Sequence, residues 1–198
     1  MGRPTFSNSA RSHAEDDGIE QLLVTQSDSS RTVFLHGDVT EHSISSVIAQ
    51  LLQLANVNRN PIYLVVSTYG GSIDEMFSLY DTIKFLPCPV HTVALGKVMS
   101  AGVLLLASGV KGKRLMGASS RIMMHSALGG VYGNVFEVEN QTKELRRLHD
   151  LMVSMMLKET KMTQKQIEEV IMNPKVDYFI GPKEAIELGI VDKVIGNG

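Results

Sequence analysis

The sequence predicts an α/β fold in which short, mainly parallel strands alternate with helices. Three observations carry this prediction. Apolar stretches of strand length recur at Thr32–Leu35, Ile62–Val66 and Val90–Leu95. Between them lie stretches whose apolar residues repeat at helical spacing. The run Ile62 to Val66 is apolar throughout, as expected of a strand covered on both faces, and parallel strands need crossover helices to connect them.

Taken in order, residues 1–18 are polar, serine-rich and aperiodic, which predicts a flexible arm or a leader. Residues 19–198 contain no internal repeat, linker or second composition, so they are read as one domain. The strand Thr32–Leu35 is closed by His36-Gly37-Asp38. From Ser43, the residues Ile44, Val47, Ile48, Leu51, Leu52 and Ala55 form one helical face, which Asn56 to Pro61 breaks. After the strand Ile62–Val66 comes Ser67-Thr68-Tyr69-Gly70-Gly71-Ser72, where Ser72 and Glu75 have the spacing of a capping box. The helix they open presents Ile73, Met76, Phe77, Tyr80 and Ile83 on one side and stops at Pro87 and Pro89. The strand Val90–Leu95 leads into Gly96–Gly109, an apolar helix with Ser100 at its start.

Short strands are expected at Lys113–Leu115 and Arg121–Met124, on either side of the turn Gly117-Ala118-Ser119-Ser120. Gly129-Gly130-Val131-Tyr132-Gly133 is too rich in glycine for a helix and reads as an exposed extended loop. A long helix is predicted from about Val135 to Lys158, and Thr163 with Gln166 caps a shorter one that Asn173-Pro174 ends. Val176–Ile180 is extended, and a last helix begins at Pro182 and ends at Gly189.

Composition narrows the function. A hydrophobic fraction of 43% and a charged fraction of 20% are those of a globular protein, and 198 residues suffice for one substantial core. A net charge of −2 leaves no broad basic field for nucleic acid. No apolar run reaches the roughly 20 residues of a transmembrane helix, and residues 1–17 lack the apolar core of a secretory signal. The lone Cys88 rules out an internal disulfide and suits a reducing compartment. Eleven methionines, several between Met152 and Met172, serve either as adaptable core or as a helix–helix interface, and the lack of tryptophan tips the reading to interface.

Three residue types converge on one chemistry. Ser100 sits between a strand and a helix, where free N–H groups favour a developing negative charge, although a serine there also serves as an ordinary N-cap. His125 ends a strand and has the chemistry of the base such a serine needs. A carboxylate that fixes the imidazole would come from Asp177 or Asp192, and spacing alone does not choose between them. The N–H groups of Gly71 and Ala101 are candidate donors to an oxyanion. Nothing in this set calls for a metal or a cofactor, and no Gly-x-x-x-x-Gly-Lys-[Ser/Thr] loop for ATP is present.

At this level of detail the sequence resembles the Clp peptidase family over about residues 19–195. Ser67–Ile73 resembles its glycine-pair segment, Tyr80-Asp81-Thr82 its next helix, Gly96–Gly109 its nucleophile segment, and Met123-Met124-His125 with Leu128-Gly129-Gly130 its histidine segment. Asp177-Tyr178-Phe179 through Asp192 resembles its aspartate segment, and this likeness selects Asp177. Four departures stand out: Tyr69 replaces the family's proline, Ala101 its methionine, Ser126-Ala127 its Gln-Pro pair, and the N-terminal segment is atypical.

The resemblance implies a crotonase-like repeated β-β-α spiral with a protruding helix-strand handle at about 126–160. It implies a Ser-His-Asp endopeptidase (Ser100, His125, Asp177) that binds extended substrate along Ser72, Ile73, Leu128, Gly129, Gly130 and Val131. It further implies a homo-oligomer of two stacked heptameric rings, an AAA+ unfoldase partner that spends the ATP, unfolded polypeptides as substrates, and a cytoplasmic location. The methionine face at Met152–Met156 would then serve the assembly, and Tyr63 is either core or part of a chaperone-docking pocket. A non-catalytic ring subunit and a related peptidase of signal-peptide or phage-head type are the rival readings.

Overall fold

Strand β2 (Ile62–Thr68) is buried along its whole length, and the rest of the sheet is laid out around it. It pairs in parallel with β1 (Thr32–His36) on one side and β3 (Val90–Met99) on the other. The computed structural model describes residues 31–126, 129–171 and 177–196. The expected arm at 1–18 therefore lies outside the described residues, as does Leu128. The sheet continues in parallel through β4 (Arg114–Gly117) to β7 (Lys193–Ile195). Among the described residues six helices accompany it: α1 (Glu41–Val57), α2 (Ile73–Phe85), α3 (Ala101–Ala107), α4 (Val135–Glu159), α5 (Gln164–Ile171) and α6 (Pro182–Glu187).

The strand β3 is longer than its apolar run predicts, because it forks. Thr92–Ala94 pair with β4, whereas Lys97–Met99 pair with β5 (Arg121–Met124). Between these halves, Val66↔Ala94 gives way to Thr68↔Val98, so β3 spends two extra residues against β2. Gly96 takes up this bulge at φ +73°, a conformation open to glycine at little cost. The fork carries Met99 to the end of the sheet, where the chain turns into α3. Strand β5 in turn pairs antiparallel with β6 (Tyr178–Ile180).

Local signals account for most helix starts. Thr40 and Ser43 cap each other reciprocally, which moves the start of α1 upstream of the expected Ser43. Ser72 accepts the Glu75 N–H at the start of α2, and Thr163 and Gln166 exchange hydrogen bonds ahead of α5. Residues 129–134 join no strand, so of the expected handle the helix α4 is formed and the strand is not, among the described residues.

Two buried polar clusters fix the far end of α4. Glu159 is 3% exposed and takes the Tyr80 hydroxyl at 2.7 Å and the Lys84 ammonium at 2.9 Å. Arg114, also buried, donates to the Glu159 carbonyl at 2.7 Å while gripping both oxygens of Asp192. Helix α4 is thereby tied to α2 and to β4. Of the methionines expected at an interface, Met156 is buried in this chain's own core, while Met152 and Met155 are half-buried against it.

Candidate active site

Ser100 is the one non-glycine residue among those described with a positive φ, at +52° with ψ −124°. Such a backbone costs on the order of 1–3 kcal/mol and persists only where the surroundings enforce it. Here the Ser100 N–H is held by the Met123 carbonyl of β5 at 2.8 Å, while the Ser100 carbonyl accepts from Val103 at 3.0 Å in the first turn of α3. The hydroxyl makes no capping hydrogen bond. The alternative of an ordinary N-cap therefore fails, and the side chain stands free at a strained strand-to-helix corner, the geometry that presents a nucleophile.

The glycine pair lies directly against this corner. A Cβ on Gly71 would sit 2.3 Å from the Val39 carbonyl oxygen, and both glycines have positive φ, +100° for Gly70 and +148° for Gly71. Val39 brackets Gly71 from both sides, donating to the Gly70 carbonyl at 2.8 Å and accepting the Ser72 N–H at 2.9 Å. The Gly71 N–H lies between these bonds and is left without an acceptor, as is the Ala101 N–H at the head of α3. Two unspent backbone donors thus border the cavity that holds Ser100, one from the next residue in sequence and one from the glycine pair.

His125 follows β5, is half-buried, and shares one cavity with Ser100, Gly71 and Ala101. The cavity has a volume of ≈ 500 Å³ and extends away from these groups into an apolar region lined by Met124, Leu104 and three residues of α4: Leu145, Met152 and Met156. Ser72 and Ile73 also border it. Gly129, Gly130 and Val131 are exposed, with Gly129 backed by Leu145. The sequence did not single out the apolar lining, although Leu145, Met152 and Met156 recur at the spacing of one helix face.

Asp177 is exposed and precedes β6. The β5–β6 register runs Ile122↔Ile180, Met123↔Phe179, Met124↔Tyr178, and His125 and Asp177 are the residues that follow and precede its last pair. Asp192 lies elsewhere and is fully occupied. It accepts from Arg114 Nε at 2.8 Å, from Arg114 Nη2 at 2.6 Å and from the Gly112 N–H at 2.7 Å. Burial pushes its carboxyl up, but these donors outweigh that and hold it below the ordinary aspartate range. No hydrogen bond joins Ser100, His125 and Asp177 to one another.

The model of the Clp protease family matches residues 16–198 of this sequence. The chain belongs to the Clp protease family. No helix among the described residues is long and apolar enough to cross a membrane, and no cluster of three metal-binding side chains occurs among them.

Two other histidines, His91 and His149, have different surroundings. His91 is buried with its ring edge-on to Tyr63, 5.1 Å between centroids, and burial, aided by Lys113, holds its pKa below the ordinary histidine value. Tyr63 is itself buried, which favours the core role over a docking role. His149 faces inward on α4, with its Nε2 buried and unpartnered.

Proposed function

We propose that the protein is a serine endopeptidase, the proteolytic subunit of an ATP-dependent Clp-type protease, with Ser100 as nucleophile, His125 as base and Asp177 as the carboxylate behind it. The observation that carries this reading is Ser100 itself, strained at φ +52°, uncapped, and sharing a cavity with His125. His125 takes the hydroxyl proton as Ser100 attacks the peptide carbonyl. The N–H groups of Gly71 and Ala101 receive the oxyanion, and its collapse expels the amine, which takes its proton from His125. Water then attacks the acyl-enzyme with His125 again as base, releasing the acid. The triad hydrogen bonds tighten when substrate fills the cavity, since catalytic contacts are commonly loose without it.

An extended substrate strand lies along Gly71–Ile73 and Leu128–Val131, pairing by backbone hydrogen bonds, with one apolar side chain entering the cavity beneath Met152 and Met156. No metal or cofactor takes part. The protomer is a crotonase-like spiral with residues 19–198 as its peptidase domain and 1–18 as an arm, and it works in the cytoplasm. Two heptameric rings stack through α4, and an AAA+ unfoldase feeds them unfolded chains. Tyr132 at 96% exposure and Phe136 at 77%, beside and on the first turn of α4, support burial of that end against another copy.

The test is hydrolysis of a fluorogenic peptide together with labelling by a fluorophosphonate. Wild type should label at Ser100 and turn over. Ser100→Ala should do neither while keeping the native mass of the assembly. An unlabelled wild-type protein of full ring mass would instead make it a structural ring subunit.

A further inference from the structure

Against Tyr69, one of the residues lining the cavity, stands a positive charge that the peptidase chemistry does not use. Lys97 lies on the far side of the β3 bulge, three residues before Ser100. The bulge turns its ammonium onto the ring of Tyr69, 4.3 Å from the centroid, and Tyr69 lines the cavity next to Gly71. A ring face pins a cation without neutralising it. Across the sheet, the residue in register with Lys97 is Arg121, also cationic and exposed. Neither forms an ion pair, among the described residues. Like charges on register neighbours repel, and the sequence keeps two of them side by side with no carboxylate in ion-pair contact among the described residues. The cavity lining contains no aspartate or glutamate. An anion supplied from outside is what this arrangement lacks.

Resting on the peptidase reading, we infer that Lys97, held by Tyr69 and seconded by Arg121, is a specificity-determining residue that favours peptides carrying an aspartate or glutamate close to the scissile bond. Reach sets how close. Three residue steps lead from Lys97 to Ser100, about 10 Å at roughly 3.3 Å per step, and an extended peptide covers that distance in about three residues. The preferred carboxylate lies within that span. The apolar end of the cavity takes the side chain at the cut, and the Lys97–Arg121 pair reads charge beside it. Charge of this kind acts on capture as well as on the bound state, so it raises kcat/KM and weakens with salt.

The experiment uses the full-length assembled protein and a family of quenched fluorescent peptides with one common apolar cleavage site. A single Asp, Asn or Lys is walked through the three positions on each side of the bond. At one or more positions wild type should cleave the Asp peptide about 3–10-fold faster in kcat/KM than its Asn counterpart, and the Lys peptide more slowly. Lys97→Gln should bring the Asp/Asn ratio to about one, and Lys97→Glu should invert it. Tyr69→Ala, which frees the ammonium, should reduce it. An Asp/Asn ratio near one at every position overturns the inference, as does a ratio that Lys97→Glu leaves unchanged. If Lys97→Glu lowers the native mass without altering the ratio, the two cations serve a contact between copies, and the inference is again overturned. A fluorophosphonate-labelled, active wild type that ignores charge sinks this inference alone. A wild type that neither labels nor cleaves any of the peptides sinks the peptidase reading and this inference with it.

Discussion

A Cβ placed on Gly70 would lie 2.6 Å from the Cβ of Ser100 and 3.1 Å from its Oγ. The exit of β2 and the strained serine are thus packed so closely that only a hydrogen fits between them. Gly37 offers a natural contrast. Its φ of +98° is nearly that of Gly70, yet nothing lies within 4 Å of a Cβ built there. Gly37→Ala pays for backbone strain alone, about 1 kcal/mol, and should leave peptide turnover within twofold. Gly70→Ala adds the clash, which moves Ser100 away from the Gly71 and Ala101 N–H groups. Its turnover should fall by about two orders of magnitude or more, the loss seen when an oxyanion donor is misplaced. Thermal melts and kcat for both variants, measured side by side, check this. Equal losses in the two would mean that the crowding has no catalytic consequence.

The two aspartates near the end of the chain should separate cleanly by assay. Asp192 holds the guanidinium of Arg114, which is 3% exposed, and takes the Gly112 and Arg114 N–H groups as well. Asp192→Asn leaves a buried cation short of its partner and should cost about 3–5 kcal/mol in denaturant titration. Asp177 is exposed, with no hydrogen bond to lose. Asp177→Asn should change stability by less than about 0.5 kcal/mol yet lower kcat by orders of magnitude, because the imidazole loses the group that sets its tautomer. A stable, inactive Asp192→Asn beside a fully active Asp177→Asn would exchange the two roles.

How much of this was readable in advance depends on whether the determinant is local. The continuous apolar run of β2, the Ser72 cap and the Thr163–Gln166 exchange are local, and each appears where the residues place it. The length of β3 was not readable. Its apolar run ends at Leu95, but pairing with β5 carries the strand through Gly96 to Met99, and that pairing depends on residues more than twenty positions away. The same bulge makes Tyr69 and Lys97 neighbours, although in sequence one is only a departure from a proline and the other an unremarkable lysine. Composition shows that the methionines of α4 are adaptable and not what each faces: Met156 is buried in the core near the point where Arg114 and Tyr80 grip Glu159. Ser100 was conspicuous by position, whereas its φ of +52° depends on the Met123 carbonyl of a strand still to come.

The inward face of α4 sets the depth of the cavity. Leu145, Met152 and Met156 line it, and the thioethers adapt to different occupants. Met152→Trp should fill the apolar end and shift preference from peptides with a large apolar residue before the cut towards those with alanine there. A methylene-scale change in an apolar pocket is worth about 1–3 kcal/mol, so the ratio of kcat/KM for Leu against Ala peptides should fall at least tenfold. The fluorophosphonate should still label Ser100, since the change lies away from the hydroxyl. An unaltered Leu/Ala ratio would place the substrate side chain outside this cavity.

Acid should loosen the end of α4 before it unfolds the sheet. Burial pushes the Glu159 carboxyl up, but the Tyr80 hydroxyl and the Lys84 ammonium together outweigh it and hold the group below its ordinary value of 4.5. The folded chain therefore binds the proton less readily than the unfolded one. Its contribution to stability is present above that ordinary value and is lost as pH falls towards the depressed folded value. In Glu159→Gln the amide oxygen still accepts from Tyr80, but the ion pair with Lys84 is gone. This variant should melt below wild type at pH 7, by an amount equivalent to about 1–3 kcal/mol, and the gap should close as pH is lowered from about 5 to 3. The melting curves must be compared as differences, because Asp192 titrates in the same direction in both proteins. Since Glu159 fixes the helix that carries Met152 and Met156, the variant should also raise KM for apolar peptides more than it lowers kcat. A gap that stays constant from pH 7 to pH 3 would mean that the Glu159 charge contributes nothing to holding α4 in place.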